Sequence, residues 1–582
     1  MYFCEGKRAL HHITDHPLAL GRQELMLTDV IQVARQGRPV EPLPAGSPAN
    51  GASGARLARV LRSAAWVEQA LGEIEAAASE GREPLVIYGV NTGFGDNAGR
   101  AVFRDRELAG RLSRNLLLSH ATGVGAHLPP DVVRAALLIR ANTLAQGYSG
   151  VRREVINTLV AMLNRGVIPA MPAQGSLGAS GDLAPLAHLA LVLSAPAPGE
   201  DPHPGASGQA YWQGVLVDGA EAMAAAGIPR VTLGAKEGVA LINGTAVSAA
   251  IGVLAWHDAF RALAAAEIAL ALSLEALRGY RDAYLPHLHA VRGHPGQARV
   301  AAFVLDLVAG SDLVRGDADR DLDPAEGPPQ DPYCLRAAPV VLGAVLDTLE
   351  YVRGVLEREI NAVTDNPLIF ADDDGPLHLP RLNKAVSGGN FHGAPVGYAM
   401  DFMKIALADL ASISERRTFM LTDARLNRGL PPFLITDPPG EEGVNSGLML
   451  AQYTAAALVS ENKGLAHPAS VDSIPSSANR EDHVSMSTIA ARQAAQIVAH
   501  TQTVIAIELL CAFQALELRL AADPDRRLGR GTAAVLDALR SVEIAPGMPL
   551  RPITRDVPLG PYIDALVEVV RQGTLLDIMH AL

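Results

Sequence analysis

The sequence predicts a mainly α-helical protein built round an elongated central helical bundle. Hydrophobic residues make up 49% of the 582-residue chain but aromatics only 4%. Alanine, leucine and valine therefore supply the apolar content, and the first two are strong helix formers. From about residue 236 the apolar spacing is helical, over 236–280, 296–310, 338–362, 393–417, 443–464 and 485–520. These stretches are long relative to the loops between them, as in a bundle.

The N-terminal region is more mixed. Residues 41–54 are rich in Pro, Gly, Ser and Ala and read as a flexible insert. A strand is expected over 85–88, running into a Gly-rich segment from Gly89 to Gly99, with helical patterns from near Arg104. Pro129-Pro130-Asp131 opens a helix that stops near Gly147, and a second helix over 152–164 ends at Gly166, since proline suits a first turn and glycine a C-terminus. Residues 171–182 follow neither period. A β-like segment over 211–217 follows a Pro/Gly loop at 196–208. A final amphipathic helix is expected over 562–572. The resulting organisation is an N-terminal region (1–235), a long-helix bundle (236–520) and a C-terminal helical segment (521–582).

A net charge of -13 argues against nucleic acid or an anionic membrane as a general partner, although one arginine can still dominate a small anionic site. The three cysteines, Cys4, Cys334 and Cys511, form no CxxC pair, which points away from a disulfide framework or a zinc site and fits a reducing cytoplasm. The first twenty residues hold no continuous apolar run of the kind a signal peptide needs. The most apolar stretches, 262–277 and 497–514, are interrupted by Glu267 and Glu275, and by His500, Gln502 and Glu508, so they read as buried bundle helices. No metal-ligand constellation stands out.

The chemistry centres on GSLGASGDLAPLAH at 175–188. A bare Ala-Ser-Gly means nothing, since it recurs at 52–54 and 206–208, and small residues alone read as a linker. In its context the run resembles the self-processing loop of the histidine and phenylalanine ammonia-lyase family, in which this tripeptide cyclises to a 4-methylidene-imidazol-5-one (MIO). The residue types suit that reaction. The Gly181 nitrogen must reach the Ala179 carbonyl carbon across a very tight turn, which glycine tolerates. Ser180 then loses its hydroxyl and leaves an exocyclic methylidene, an electrophile that no natural side chain supplies. Gly178 and Asp182 are expected to hold the turn, Asp182 by accepting backbone amide hydrogens.

The resemblance runs in the family's order over residues 84–492. IYGVNTGFG at 87–95 resembles the loop bearing the catalytic tyrosine, Tyr88. LSHATGVG at 118–125 resembles the substrate-selectivity segment and carries His120. KEGVALINGT at 236–245 carries Asn243, and QDPYCLR at 330–336 carries Gln330, Tyr333 and the carboxylate-binding Arg336. SGGNFHG at 387–393 carries Phe391, and SENK at 460–463 carries Glu461. The resemblance implies an all-α homotetramer, active sites drawn from three subunits, and no diffusible cofactor.

It also implies roles. Tyr88 removes a weakly acidic β-proton, for which its phenol must be activated or the substrate acidified. Arg336 holds the substrate carboxylate with two parallel hydrogen bonds. Tyr333 lies three residues earlier, so one helical turn puts both on one face. Asn243 and Gln330 contact the ring and the substrate, and Phe391 packs near the electrophile. Ser119-His120 is the pair typical of the histidine branch, and a carboxylate at Glu461 suits an imidazole. The implied reaction is conversion of L-histidine to trans-urocanate. The alternatives are phenylalanine or tyrosine ammonia-lyase, a 2,3-aminomutase, and a silent scaffold with an unprocessed loop. The sequence departs from the histidine branch at Ala337-Ala338, where a glutamine is usual two residues past the arginine. It also departs in the acidic loop over 315–331, and at Asp96-Asn97, where an apolar pair is common.

Overall fold

A computed structural model of the chain describes residues 16–21, 23–45, 52–99, 104–316, 330–371 and 384–581. Most of the 41–54 insert's centre and the acidic loop, and Cys4, lie outside the described residues. Helices dominate, and the strands are short, in sheets of two or three. The chain divides into two compact units made of alternating segments.

The first unit comprises residues 1–254, 354–400 and 469–492. Its helices include Leu27–Arg35, Ala52–Ser79, Arg106–His120, Pro130–Ala145, Arg153–Arg165, Leu183–Leu193 and Glu237–Ile242. Helical structure thus begins well before Arg104. In Ala52–Ser79, Leu57, Val60, Val67, Leu71 and Ile74 recur at helical spacing and are all buried, which outweighs the small-residue run at its start. The helices at Pro130–Ala145 and Arg153–Arg165 fall where the proline and glycine signals put them, the second closed by Gly166 at φ +73°. The β-like segment is a hairpin, Gln209–Trp212 against Val215–Asp218.

Residues 85–88 form no strand. The Asn91 side chain accepts from the Ile87 N–H at 2.8 Å and donates to the Leu85 carbonyl at 2.7 Å, occupying groups a ladder would need. Ile87 and Val90 join a core cluster with Val67, Leu71, Ile74 and Ile369, so the turn carrying Tyr88 is anchored at both shoulders.

The second unit comprises residues 255–353, 401–468 and 493–582. Here Arg417 and Glu508 form a fully buried ion pair, and Ser273 and Ser414 donate to the same carboxylate at 2.8 and 2.6 Å. That explains a charge inside the apolar 497–514 stretch. Among the described residues no helix is long and apolar enough to cross a membrane. The expected 236–280 helix is interrupted: Glu237–Ile242 stops, and Ala246–Ala276 begins after a break at Asn243-Gly244-Thr245, where Gly244 adopts φ +154°. The helix expected over 562–572 spans Gly560–Gln572, but it is not the last, since a further helix, Thr574–Ala581, follows it.

Candidate active site

The break at Gly244 and the small-residue run at 175–182 meet in the first unit. The Gly244 amide donates to the Ser180 carbonyl at 3.1 Å, and the Asp182 amide donates to the Gly244 carbonyl at 2.7 Å. Gly181 (φ +73°) sits between these bonds so closely that a Cβ there would overlap the Gly244 carbonyl. On the other side, Ser485 Oγ donates to the Gly178 carbonyl at 3.0 Å and the Met486 amide to the Leu177 carbonyl at 2.8 Å. Residues 178–181 are thus gripped from both flanks.

Asp182 anchors the turn as the sequence suggests. Its Oδ2 accepts from the amides of Val247 and Ser248, both at 2.8 Å, at the start of the Ala246–Ala276 helix, a position that favours a carboxylate. Its Oδ1 accepts from Thr488 Oγ1 at 2.6 Å. Burial nevertheless raises its carboxyl above the usual range, against the bonds from Thr488, Ser248 and Val247.

Ser180 opens onto a cavity of about 810 Å³, lined entirely from the first unit, with Tyr88, His120, Asn243, Phe391 and Glu481 among its walls. Tyr88 Oη accepts from the Gly95 amide at 3.2 Å, and its ring meets Phe94 edge-on at 6.0 Å. Burial raises the phenol's pKa, the Gly95 amide opposes that, and Glu481 adds to it. His120 ends the Arg106–His120 helix, with its Nδ1 3.0 Å from Ser119 Oγ. Burial lowers its pKa, against the Leu116 carbonyl and Glu481, which favours the neutral imidazole. Asn243 caps the Glu237–Ile242 helix, and its Nδ2 faces Asn366 O at 3.3 Å and Asp365 Oδ1 at 3.4 Å. Asp365 in turn pairs with the fully buried Lys236 at 2.6 Å. The Gly388 amide donates to Asn366 Oδ1 at 2.8 Å, tying the turn that carries Phe391 to the same wall.

The sequence reading did not single out Glu481, whose Oε1 accepts from Ser180 Oγ at 3.1 Å. Paired backbone bonds between Ser476 and Glu481, at 2.9 and 3.3 Å, hold a loop in which Ser477, Ala478 and Asn479 all have left-handed φ. Three non-glycine residues in that region signal strain that the surroundings must impose. The available signal was a run of charge, Arg480-Glu481-Asp482, in a loop of small residues.

Gln330, Tyr333, Arg336 and Glu461 belong to the second unit. Tyr333–Arg336 is one helical turn, and the Arg336 guanidinium lies 4.3 Å from the centre of the Tyr333 ring, so the two share a face as expected. Arg336 Nε donates to the Asp331 carbonyl at 2.8 Å. Gln330 is exposed and Tyr333 is 69% exposed. Glu461 is also exposed, 4.0 Å from His500 Nε2. Glu481 is the carboxylate that the first unit brings to the Ser180 cavity, while Glu461, the glutamate the sequence suggested, belongs with Gln330, Tyr333 and Arg336 to the second unit.

The family model for aromatic amino acid lyases matches residues 27–541. A histidine ammonia-lyase of Gloeobacter violaceus is 47% identical over 565 residues, covering 97% of this chain and 98% of that protein. The crystal structure of histidine ammonia-lyase from Trypanosoma cruzi is similar at 33% identity and a TM-score of 0.79, covering 97% of this chain and 95% of that one. Tyrosine aminomutase from Streptomyces globisporus is also similar, at 33% identity and a TM-score of 0.81, with 97% and 99% covered.

Proposed function

The chain belongs to the aromatic amino acid lyase family and is a carbon–nitrogen lyase, and from that premise we propose that it removes ammonia from L-histidine to give trans-urocanate. The observation that carries the reading is the cavity where the Ser180 hydroxyl, a neutral His120, the Glu481 carboxylate and the Tyr88 phenol converge. An imidazole offers a donor and an acceptor, and the histidine–carboxylate pair across this wall answers both. A phenyl ring would leave both groups unpaired, at a cost in free energy.

Residues 179–181 fit the MIO group. Gly178 and Gly181 hold left-handed φ, and a Cβ at either would collide with Ser485 or Gly244. When formed, that group supplies an electrophile able to withdraw electrons from the bound amino acid. The chain's own residues do the rest. Tyr88, its hydroxyl fixed by the Gly95 amide, takes the β-proton at Oη. Glu481 and His120 orient the imidazole, Asn243 meets the substrate beside the ring, and Phe391 excludes water. Arg336, backed by Tyr333, holds the carboxylate, with Gln330 beside them. In keeping with the family resemblance, the proposal includes a cytoplasmic homotetramer whose subunits complete one another's sites, and the exposure of Tyr333, Gln330 and Glu461 suits residues offered to a neighbouring subunit.

Ultraviolet assay of the purified protein with histidine, phenylalanine and tyrosine tests the substrate. Turnover of phenylalanine without histidine would reject it. The likeness to an aminomutase supports a second outcome, return of ammonia to the β-carbon, which chromatography for a β-amino acid detects.

A further inference from the structure

Where a side chain on Gly244 would stand lies a buried guanidinium with an unusual set of partners. Arg140, on the Pro130–Ala145 helix, is wholly buried. It donates to the Asn243 carbonyl at 3.0 Å, to the Thr364 carbonyl at 2.9 Å and to the Ala240 carbonyl. Among the described residues no carboxylate is bonded to it. Burial brings its pKa down to about 10, against the fields of Asp365 and Asp182. A buried charge spent on neutral carbonyls is costly. What it achieves here is to lock two segments, 240–243 and 364, to one planar fork.

That fork backs the tripeptide. A Cβ on Gly244 would lie 2.5 Å from Arg140 Nη1 and would overlap the Thr364 carbonyl. A Cβ on Gly181 would overlap Gly244 in its turn. The order of contact is therefore Arg140 and Thr364, then Gly244, then Gly181. We propose that Arg140 is a positioning residue for ring closure, the fixed backstop that keeps Gly244 pressed on Gly181 and the Gly181 nitrogen against the Ala179 carbonyl carbon. The inference rests on the proposed MIO chemistry.

The step balances without a co-reactant. A bond forms between the Gly181 nitrogen and the Ala179 carbonyl carbon. The Ala179 oxygen leaves as water with the amide hydrogens of Gly181 and Ser180, giving a C=N bond to the Ser180 nitrogen. The Ser180 hydroxyl leaves as a second water with the Ser180 Cα hydrogen, giving the methylidene. Closure is sensitive to sub-ångström placement, and recession of Gly244 by about 1 Å is expected to slow it ~100-fold.

The test is a time course of intact mass, reading the loss of two waters, as full-length protein that still carries its full sequence mass (unprocessed inclusion-body material dissolved in denaturant) is folded, for the parent, Arg140→Lys and Arg134→Lys. Arg134 is the internal control. It lies on the same helix and also holds backbone carbonyls, those of Val33, Ala34 and Leu163, none of which belongs to the turn. The expected result is a folded Arg140→Lys protein by circular dichroism with ring formation slowed ~100-fold, beside normal ring formation in Arg134→Lys. Should the lysine variant fail to fold, Arg140→Gln, neutral and able to donate to two carbonyls, replaces it. Ring formation at the parent rate in a folded Arg140 variant overturns the proposal. So does equal slowing in both variants in step with lost thermal stability. An unmodified parent protein would instead refute the MIO reading itself.

Discussion

Replacing Glu481 by glutamine isolates the charge that the proposed substrate meets. The side chain keeps its shape, and before ring closure its amide oxygen can still accept from Ser180 Oγ, 3.1 Å from Oε1. Ser476 Oγ, 3.2 Å from Oε2, can turn to accept from the new amide. The backbone bonds between Ser476 and Glu481 are untouched, so the loop should hold. What disappears is a charge-assisted bond to an imidazole, worth about 1.5–3 kcal/mol, replaced by a neutral one worth about 0.5–1.5. The difference, about 1–1.5 kcal/mol, corresponds to roughly tenfold in kcat/KM for histidine. The loss should grow below pH ~6.5, where the substrate imidazole carries a charge. The assay is urocanate formation followed in the ultraviolet across pH, with intact mass measured on the same sample. An unchanged kcat/KM would show that the carboxylate does not meet the substrate. A missing ring in the variant would move Glu481 from substrate binding to maturation.

Tyr88→Phe should lower kcat by about 10²–10⁴-fold while leaving the fold intact, since only the Gly95 amide loses a partner, at about 1 kcal/mol. Because burial raises the Tyr88 pKa above its ordinary value, the phenol is protonated at neutral pH, and kcat/KM should climb with pH without levelling off below about 10 in the parent protein; a profile flat from about pH 7 would contradict Tyr88 as the base. His120→Leu should cost histidine turnover at least ~10-fold and admit phenylalanine, measured as the ratio of kcat/KM values, and an unchanged ratio would remove His120 from selectivity. Glu200→Gln removes the countercharge of Arg114, whose side chain is 1% exposed and meets the carboxylate at 2.9 Å besides donating to Ser194 Oγ and the Ala206 carbonyl, and should destabilise by up to about 3 kcal/mol in denaturant melts. Arg114 holds the Glu200 carboxyl below its ordinary range, so the parent's advantage should be full at neutral pH and vanish as pH falls through that depressed value, below about 4.

The helical class was legible because alanine-rich amphipathic spacing is a local signal, and Pro130 and Gly166 mark their helix ends through backbone constraints that no tertiary contact has to supply. The tripeptide turn, Tyr88, His120, Asn243 and Phe391 were legible through ordered resemblance, and one cavity gathers them. The misread stretches share a physical cause. Residues 85–88 have strand-like side chains, but the Asn91 amide takes the backbone groups a strand would use. The stretch from 236 looks like one helix until Gly244, whose conformation is fixed by Gly181, Thr364 and Arg140, far away in sequence. Glu481 was hidden because its bond to Ser180 spans 301 positions and a strained loop of ordinary residues aims it. Glu461, on the second unit, is exposed and 4.0 Å from His500.

The most direct measurement is the mass of the peptide spanning residues 179–181, cut from purified, folded protein. Closure of the ring predicts a peptide lighter than its sequence by two waters. A peptide of full mass, with the Ser180 hydroxyl in place, would leave the cavity without an electrophile and contradict the proposed elimination.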